Sequence, residues 1–309
     1  NKMIKIPITK ILFLDIETVP QQENWSEVPE TIQELFSKKT AYQRKEEVTA
    51  EDFYERAGIW AEFGKIICIS VAYFTNNKQE RNLRVTSFSG DNEEQILLDF
   101  KKLLGTHFNK SYHVLCAHNG KEFDFPYIAR RMIVHHIELP SKLNLFGKKP
   151  WEVPHLDTME LWKFGDFKHY SSLQLLTTIL GIPSPKDDID GSEVASVYYK
   201  EKNLDRIVRY CEKDTISVAQ VLMRFNNEKL IDKDEILKIK NNLKKKINLN
   251  KLSTKQSIKF SLDKTTNKIK DFTFIVSNTE KIFLTKKSGN DQFNQEIISI
   301  KLDKKIVYK

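Results

Sequence analysis

Five residues carry the chemistry that the sequence offers. Asp15 and Glu17 stand one residue apart in ILFLDIETVP, Ile11 to Pro20; Asp124 lies in AHNGKEFDFPYIARR; Tyr210 and Asp214 are four apart in NLDRIVRYCEKDTISVAQVLMRF. Strand alternation puts Ile11, Phe13, Asp15 and Glu17 on one face, with the two carboxylates about 6 to 7 Å apart at a rise of about 3.3 Å per residue. Like charges at that spacing repel and lose hydration on burial. Taken singly, each group has a plainer role: a polar strand end, a helix cap for Asp124, a hydrogen-bonded Tyr-Asp pair at a domain edge. Taken together, four carboxylates on one rim cannot all stay ionised without divalent cations, and hard oxygen donors select Mg²⁺ or Mn²⁺ over zinc. Two such ions about 3.5 to 4 Å apart suit phosphodiester hydrolysis, with Tyr210 placed to orient the attacking water.

The elements that would hold these groups follow from periodicity. Ile11 to Ile16 is a continuous β-prone run, as in a central strand covered on both faces. Lys65 to Phe74 and Asn82 to Ser89 form a hairpin. Asp91 caps a helix whose apolar residues are Ile96, Leu97, Phe100, Leu103 and Leu104. His113 to Asn119 is a further strand, ended by a turn at Asn119-Gly120, and a helix runs from near Pro126 to about His136. Helices also occupy Ser171 to Leu180, Ser192 to Tyr199 and Asn203 to about Phe225. On the last of these, Tyr210 and Asp214 lie side by side on the shoulder of the apolar face made by Ile207, Cys211, Val218 and Leu222. Strands, helix, strand and then helices predict an α/β fold, a mixed sheet flanked by helices. The polar stretch from Gln21 to Trp60 reads as short helices in an insertion.

Composition bounds the rest. Hydrophobic residues make up 40% of the chain and charged residues 30%, the balance of a water-soluble globular protein. No apolar run reaches the roughly 20 residues of a membrane span, and the N-terminus lacks a signal-peptide core, so a cytoplasmic location is expected. Cys68, Cys116 and Cys211 are scattered among apolar residues and read as reduced core thiols. Residues 229–309 hold 20 lysines against 9 acids, a net +11 that leaves −3 for residues 1–228. We therefore expect two domains, 1–228 and 229–309, the second a small basic appendage with a helix at DEILKIKNNLKKKI and four short strands at SIKFSL, FTFIVS, KIFLTK and IISIKL. Its lysines serve either solubility or residence on nucleic acid.

DIET (Asp15 to Thr18), HNGKEFD (His118 to Asp124) and YCEKD (Tyr210 to Asp214) resemble the three motifs of the DEDDy 3′→5′ exonucleases of the RNase H-like superfamily. Within that family the chain is similar to bacterial stand-alone exonucleases related to the proofreading domain of family B DNA polymerases. AEFGKIICIS, LDTMELWKFGD and GIPSPKDDIDGSEV fit the same group, and the resemblance spans about residues 9 to 226. It implies that Asp15, Glu17 and Asp214 bind the catalytic metal, that Asp15 bridges to a second ion, and that Asp124 holds this ion directly or through water. Tyr210 stands where the tyrosine subclass keeps its water-orienting group; Arg209 occupies the position that would be His in the other subclass. The implied reaction releases nucleoside 5′-monophosphates from the 3′ end of single-stranded DNA, using two Mg²⁺ or Mn²⁺ ions. Trimming of RNA ends by the same chemistry, or a non-catalytic nucleic-acid-binding role, are the alternatives.

Lys121, Arg130, Arg131, Lys186 and Ser192 are candidate phosphate contacts, with surface ion pairing as the other reading of each. Phe123 and Phe125 are either base platforms or core. Ile16, Thr18 and Asn119, inside the motifs, complete the candidate substrate-binding set. The insertion at 21–60 and the tail after residue 228 fall outside the family pattern.

Overall fold

The structure, a computed structural model, describes residues 4–77, 80–166, 170–183 and 189–238, and beyond these the strands 257–263, 268–276, 282–287 and 293–298. Two compact units divide the chain, Asn1–Asn241 and Asn242–Lys309. No described helix is long and apolar enough to cross a membrane.

The first unit is built on a six-stranded sheet: β1 (Ile11–Pro20), β2 (Gly64–Asn77), β3 (Glu80–Ser89), β4 (Val114–Ala117), β5 (Leu156–Asp157) and β6 (Ile236–Lys238), in the order β5-β4-β1-β2-β3-β6. The β1/β2 and β2/β3 pairs are antiparallel and the β1/β4, β4/β5 and β3/β6 pairs parallel. This is the mixed sheet of an RNase H-like domain, and its faces obey the alternation in the sequence. Leu12, Leu14 and Ile16 pack with α3 (Glu93–His107) and α4 (Asp124–Val134) through Ile96, Phe100, Phe125 and Ile128. Ile11 and Phe13 pack against Val218, Ala219 and Leu222 of α8 (Leu204–Phe225) on the other face. β1 is thus covered on both sides, which is why it reads as an unbroken apolar run.

The insertion folds as α1 (Glu30–Thr40), α2 (Ala50–Phe53) and a 3₁₀ segment Tyr54–Ile59. Its own core gathers Phe36, Phe53, Tyr54 and Phe63 around Trp25 and Trp60, with Phe36 meeting four of these rings edge-on. The Gly58 carbonyl ties it to both β1 and α4, accepting the Thr18 hydroxyl at 2.8 Å and the Tyr127 hydroxyl at 2.7 Å. Three shorter helices follow β5: α5 (Thr158–Lys163), α6 (Leu173–Ile179) and α7 (Val194–Tyr199).

Two local readings are corrected. Asn92, not Asp91, caps α3, accepting the Gln95 N–H at 3.1 Å, while Asp91 instead takes the Tyr198 hydroxyl at 2.9 Å. DEILK, read as the start of a helix, is a 3₁₀ turn (Lys233–Glu235) leading into β6. The reason is the open edge of β3: Leu83 to Val85 offer ladder partners to Ile236 to Lys238, and Arg81 clamps the approach through Glu235 and the carbonyls of Lys229 and Leu230. The rest of the expected helix lies outside the described residues. The second unit is a four-stranded antiparallel meander, β7 (Ser257–Asp263), β8 (Lys268–Val276), β9 (Ile282–Lys287) and β10 (Phe293–Ile298). Its last strand starts before IISIKL, and 299–302 lie outside the described residues.

Candidate active site

β1 delivers its two acids to the α8 face of the sheet. Asp15 pairs with Ser70 and Glu17 with Cys68 on β2, and an irregularity in the ladder between Glu17 and Thr18 ends the regular run. Across from them, α8 contributes Asp214 and, one turn earlier, Tyr210, whose ring rests on the Val19, Ile67 and Ile207 cluster. Asp124 arrives from the opposite side. β4 stops at Ala117, so past that point its edge no longer pairs with β1, and the Ile16 backbone N–H donates to the Asp124 carboxylate. Asp124 is therefore the first residue of α4 rather than its cap; Phe123 occupies the cap position.

The electrostatics are those of crowded anions. Burial first, then Glu17, Asp124 and Asp214, raise the Asp15 carboxyl well above the usual range. Glu17 is raised by burial and by Asp214 and Asp124. Burial pushes Asp124 up to about 7, with Asp157 adding to the rise and the Ile16 N–H opposing it. These three acids are held where ionising them is costly; the charges that press on Asp15 and Glu17 are the other site acids, and on Asp124 it is Asp157. Such a set fits hard divalent cations, whose charge offsets the repulsion and favours the ionised form of each acid. The Cys211 thiol also comes within 4.8 Å of the Asp15 and Glu17 oxygens. It donates its hydrogen to the Asp15 carbonyl at 3.4 Å, and burial raises its pKa, so it packs beneath the acids as a neutral thiol.

The substrate candidates divide. Asn119, held at φ 62° in the turn after β4, Lys121 and exposed Arg130 line one cleft beside α4. The Lys121 ammonium already pairs with Glu160. Thr18 spends its hydroxyl on Gly58, and the Ile16 side chain is core. Phe123 is half-buried against Tyr127, and Phe125 is fully buried, its ring edge-on to His155. Arg131 is a correction: only 3% exposed, it makes a two-pronged pair with Glu93 at 2.6 and 2.9 Å and a bond to the Ala61 carbonyl, which leaves it nothing to offer a phosphate. Its neighbour in sequence points outward because the two lie about 100° apart on the helix. Ser192 is exposed and bonded to Asp190 ahead of α7. Lys186 lies outside the described residues.

One residue was overlooked in the sequence. Asp157, at the end of β5, is 3% exposed and accepts four backbone N–H groups, from Asn119 (3.0 Å), Lys121 (3.0 Å), Met159 (2.9 Å) and Glu160 (3.2 Å). It caps α5 and pins the turn that leads to Asp124. The signal was its setting, an acid between an apolar strand and a helical pattern, which reads as a cap alone.

The fold and the carboxylate cluster together define an RNase H-like nuclease domain. A family model described as "Predicted 3'-5' exonuclease related to the exonuclease domain of PolB" matches residues 59–263. The chain belongs to that family, and its class is that of a 3′→5′ exonuclease, a hydrolase of phosphodiester bonds.

Proposed function

We propose that the protein is a divalent-metal-dependent 3′→5′ exonuclease that trims single-stranded DNA from its 3′ end, releasing nucleoside 5′-monophosphates. The observation that carries this reading is the gathering of acids at one buried spot: the Asp15 and Glu17 carboxylates lie within 4.8 Å of each other, and Asp124 and Asp214 press on both of them. Asp15, Glu17 and Asp214 would hold one ion, and Asp15 with Asp124 the second. Bound there, Mg²⁺ or Mn²⁺ supplies a water of lowered pKa and neutralises the charge that develops on the phosphate. Tyr210, one helical turn before Asp214, orients the attacking water through its hydroxyl. The kinship with the exonuclease domain of PolB favours DNA over RNA.

The test uses matched DNA and RNA oligonucleotides labelled at the 3′ or the 5′ end, with Mg²⁺, Mn²⁺ or EDTA. The expected result is metal-dependent release of mononucleotides from the 3′ end of single-stranded DNA, abolished in Asp15→Ala and Asp214→Ala with folding unchanged by circular dichroism. Undiminished activity in either variant or in EDTA refutes the reading; faster turnover of RNA reassigns the substrate.

A further inference from the structure

We infer that the cleft along α4 is a tract for single-stranded nucleic acid, in which Phe146 and Trp151 stack bases upstream of the linkage being cut; the assignment to a substrate strand rests on the proposed function. The cleft is about 920 Å³. One wall is the α4 face from Pro126 to Ile133, about 10 Å of helix at 1.5 Å per residue. The other is the loop Leu143 to Trp151, and Asn119 and Asp157, which shape the turn before Asp124, line the cleft as well. The tract therefore leads away from the Asp124 end of α4.

Three observations choose the occupant. The first is the pair of rings. Phe146 and Trp151 are each 74% exposed, although burial of such side chains is worth several times RT. The second is that the loop holding them is already ordered. Lys148 N–H donates to the Leu145 carbonyl at 3.1 Å, Glu152 N–H to the Lys149 carbonyl at 2.8 Å, and the Glu152 carboxylate accepts the Lys149 N–H at 2.8 Å. Rings on an ordered loop bind with little entropy left to lose. The third is charge. Arg130, Lys148, Lys149 and Lys163 have no carboxylate at ion-pairing distance among the described residues, and Lys149 sits 5.3 Å over the Trp151 ring. The acids of the cleft are engaged instead: Asp157 by four N–H groups, Glu160 by Lys121, Glu122 by the Tyr170 hydroxyl, and Asp166 is not free either. Exposed rings interleaved with cations that lack a carboxylate partner, two of them resting on rings (Lys149 on Trp151, Lys163 on Tyr170 at 4.4 Å), match bases and phosphates that alternate along a single strand. A duplex keeps its base faces stacked on one another and gains nothing from such rings.

Fluorescence anisotropy with a 5′-fluorescein 12-nucleotide strand, alone and in a blunt duplex, tests this on the full chain in EDTA. Turnover does not enter, so a failure of the catalytic reading shows in the Asp15→Ala assay and not here. The expected result is tighter binding of the single strand than of the duplex, a Kd raised about tenfold by Trp151→Ala and further by Trp151→Ala with Phe146→Ala, and mostly retained by Trp151→Tyr. Both rings are exposed, so the variants should melt at the wild-type temperature. A Trp151→Ala variant that binds like wild type, equal affinity for duplex and single strand, or no binding by the wild type overturns the proposal.

Discussion

Asp157 Oδ1 accepts the backbone N–H of Asn119 at 3.0 Å, so the turn before Asp124 is held by a side chain from a strand two steps removed in the sequence. Asp157→Ala strips that acceptor from four N–H groups, three of them on half-buried or buried residues, and removes the α5 cap. A destabilisation of about 3 kcal/mol is expected in urea unfolding, with loss of activity beyond what instability explains, because Asp124 is no longer aimed. Asp157→Asn, which keeps one carbonyl acceptor, should lie between the two.

The acid cluster should behave as stored repulsion. Asp15→Asn removes one of the two strand acids that their neighbours push up, and Asp214→Asn removes a charge that presses on both of them. Metal-free, these variants should melt above the metal-free wild type, while Mn²⁺ raises the melting temperature of the wild type more than theirs. Thermal scans with and without Mn²⁺ at pH 8 measure both differences, and variants that melt below the wild type would contradict the account.

Arg131 should matter to folding and Arg130 to binding. Arg131→Met leaves Glu93 buried with its main countercharge gone, at an expected cost of about 3 to 5 kcal/mol. Arg130→Ala should leave stability nearly unchanged and reduce the salt dependence of nucleic-acid binding by about one unit of log-log slope. Urea titrations and binding at two salt concentrations separate the neighbours.

His155 makes the fold acid-sensitive. Burial, with the Lys142 and Lys121 charges adding to it, holds its pKa down to about 4 against the opposing bond of Nε2 to the Lys142 carbonyl at 2.7 Å; Nδ1 accepts the Leu115 N–H at 3.2 Å, which suits the neutral ring. The folded-state pKa lies below the unfolded value of about 6.5, so the unfolded chain binds the extra proton first. The stabilisation is complete above pH 6.5 and falls as the pH drops towards 4, by up to about 3 kcal/mol. His155→Gln should flatten that part of a stability-against-pH curve.

How much of this was legible varied by element. The alternation of ILFLDIETVP placed Asp15 and Glu17 on one face, and the helical spacing of α8 put Tyr210 beside Asp214; both are local periodicities that the sheet and helix carry unchanged. What escaped was set by neighbours distant in sequence. Arg130 and Arg131 are the same residue type side by side, and only the position of Glu93 on α3 makes one of them core. DEILK has helical spacing, yet the open edge of β3 takes it as a strand. Asp157 drew no reading from the sequence: it caps α5, and the early end of β4 gives it the Asn119 turn as well.

The sequence by itself determined the family, the mixed sheet, and the shared faces of Asp15 with Glu17 and of Tyr210 with Asp214, because these rest on residue type and on the periods of strand and helix. The tertiary structure decided which cations face a cleft, which acids press on one another, and where the exposed rings of Phe146 and Trp151 stand relative to α4. Those follow from burial and from distances between segments far apart in the chain, quantities that exist only once the segments have packed.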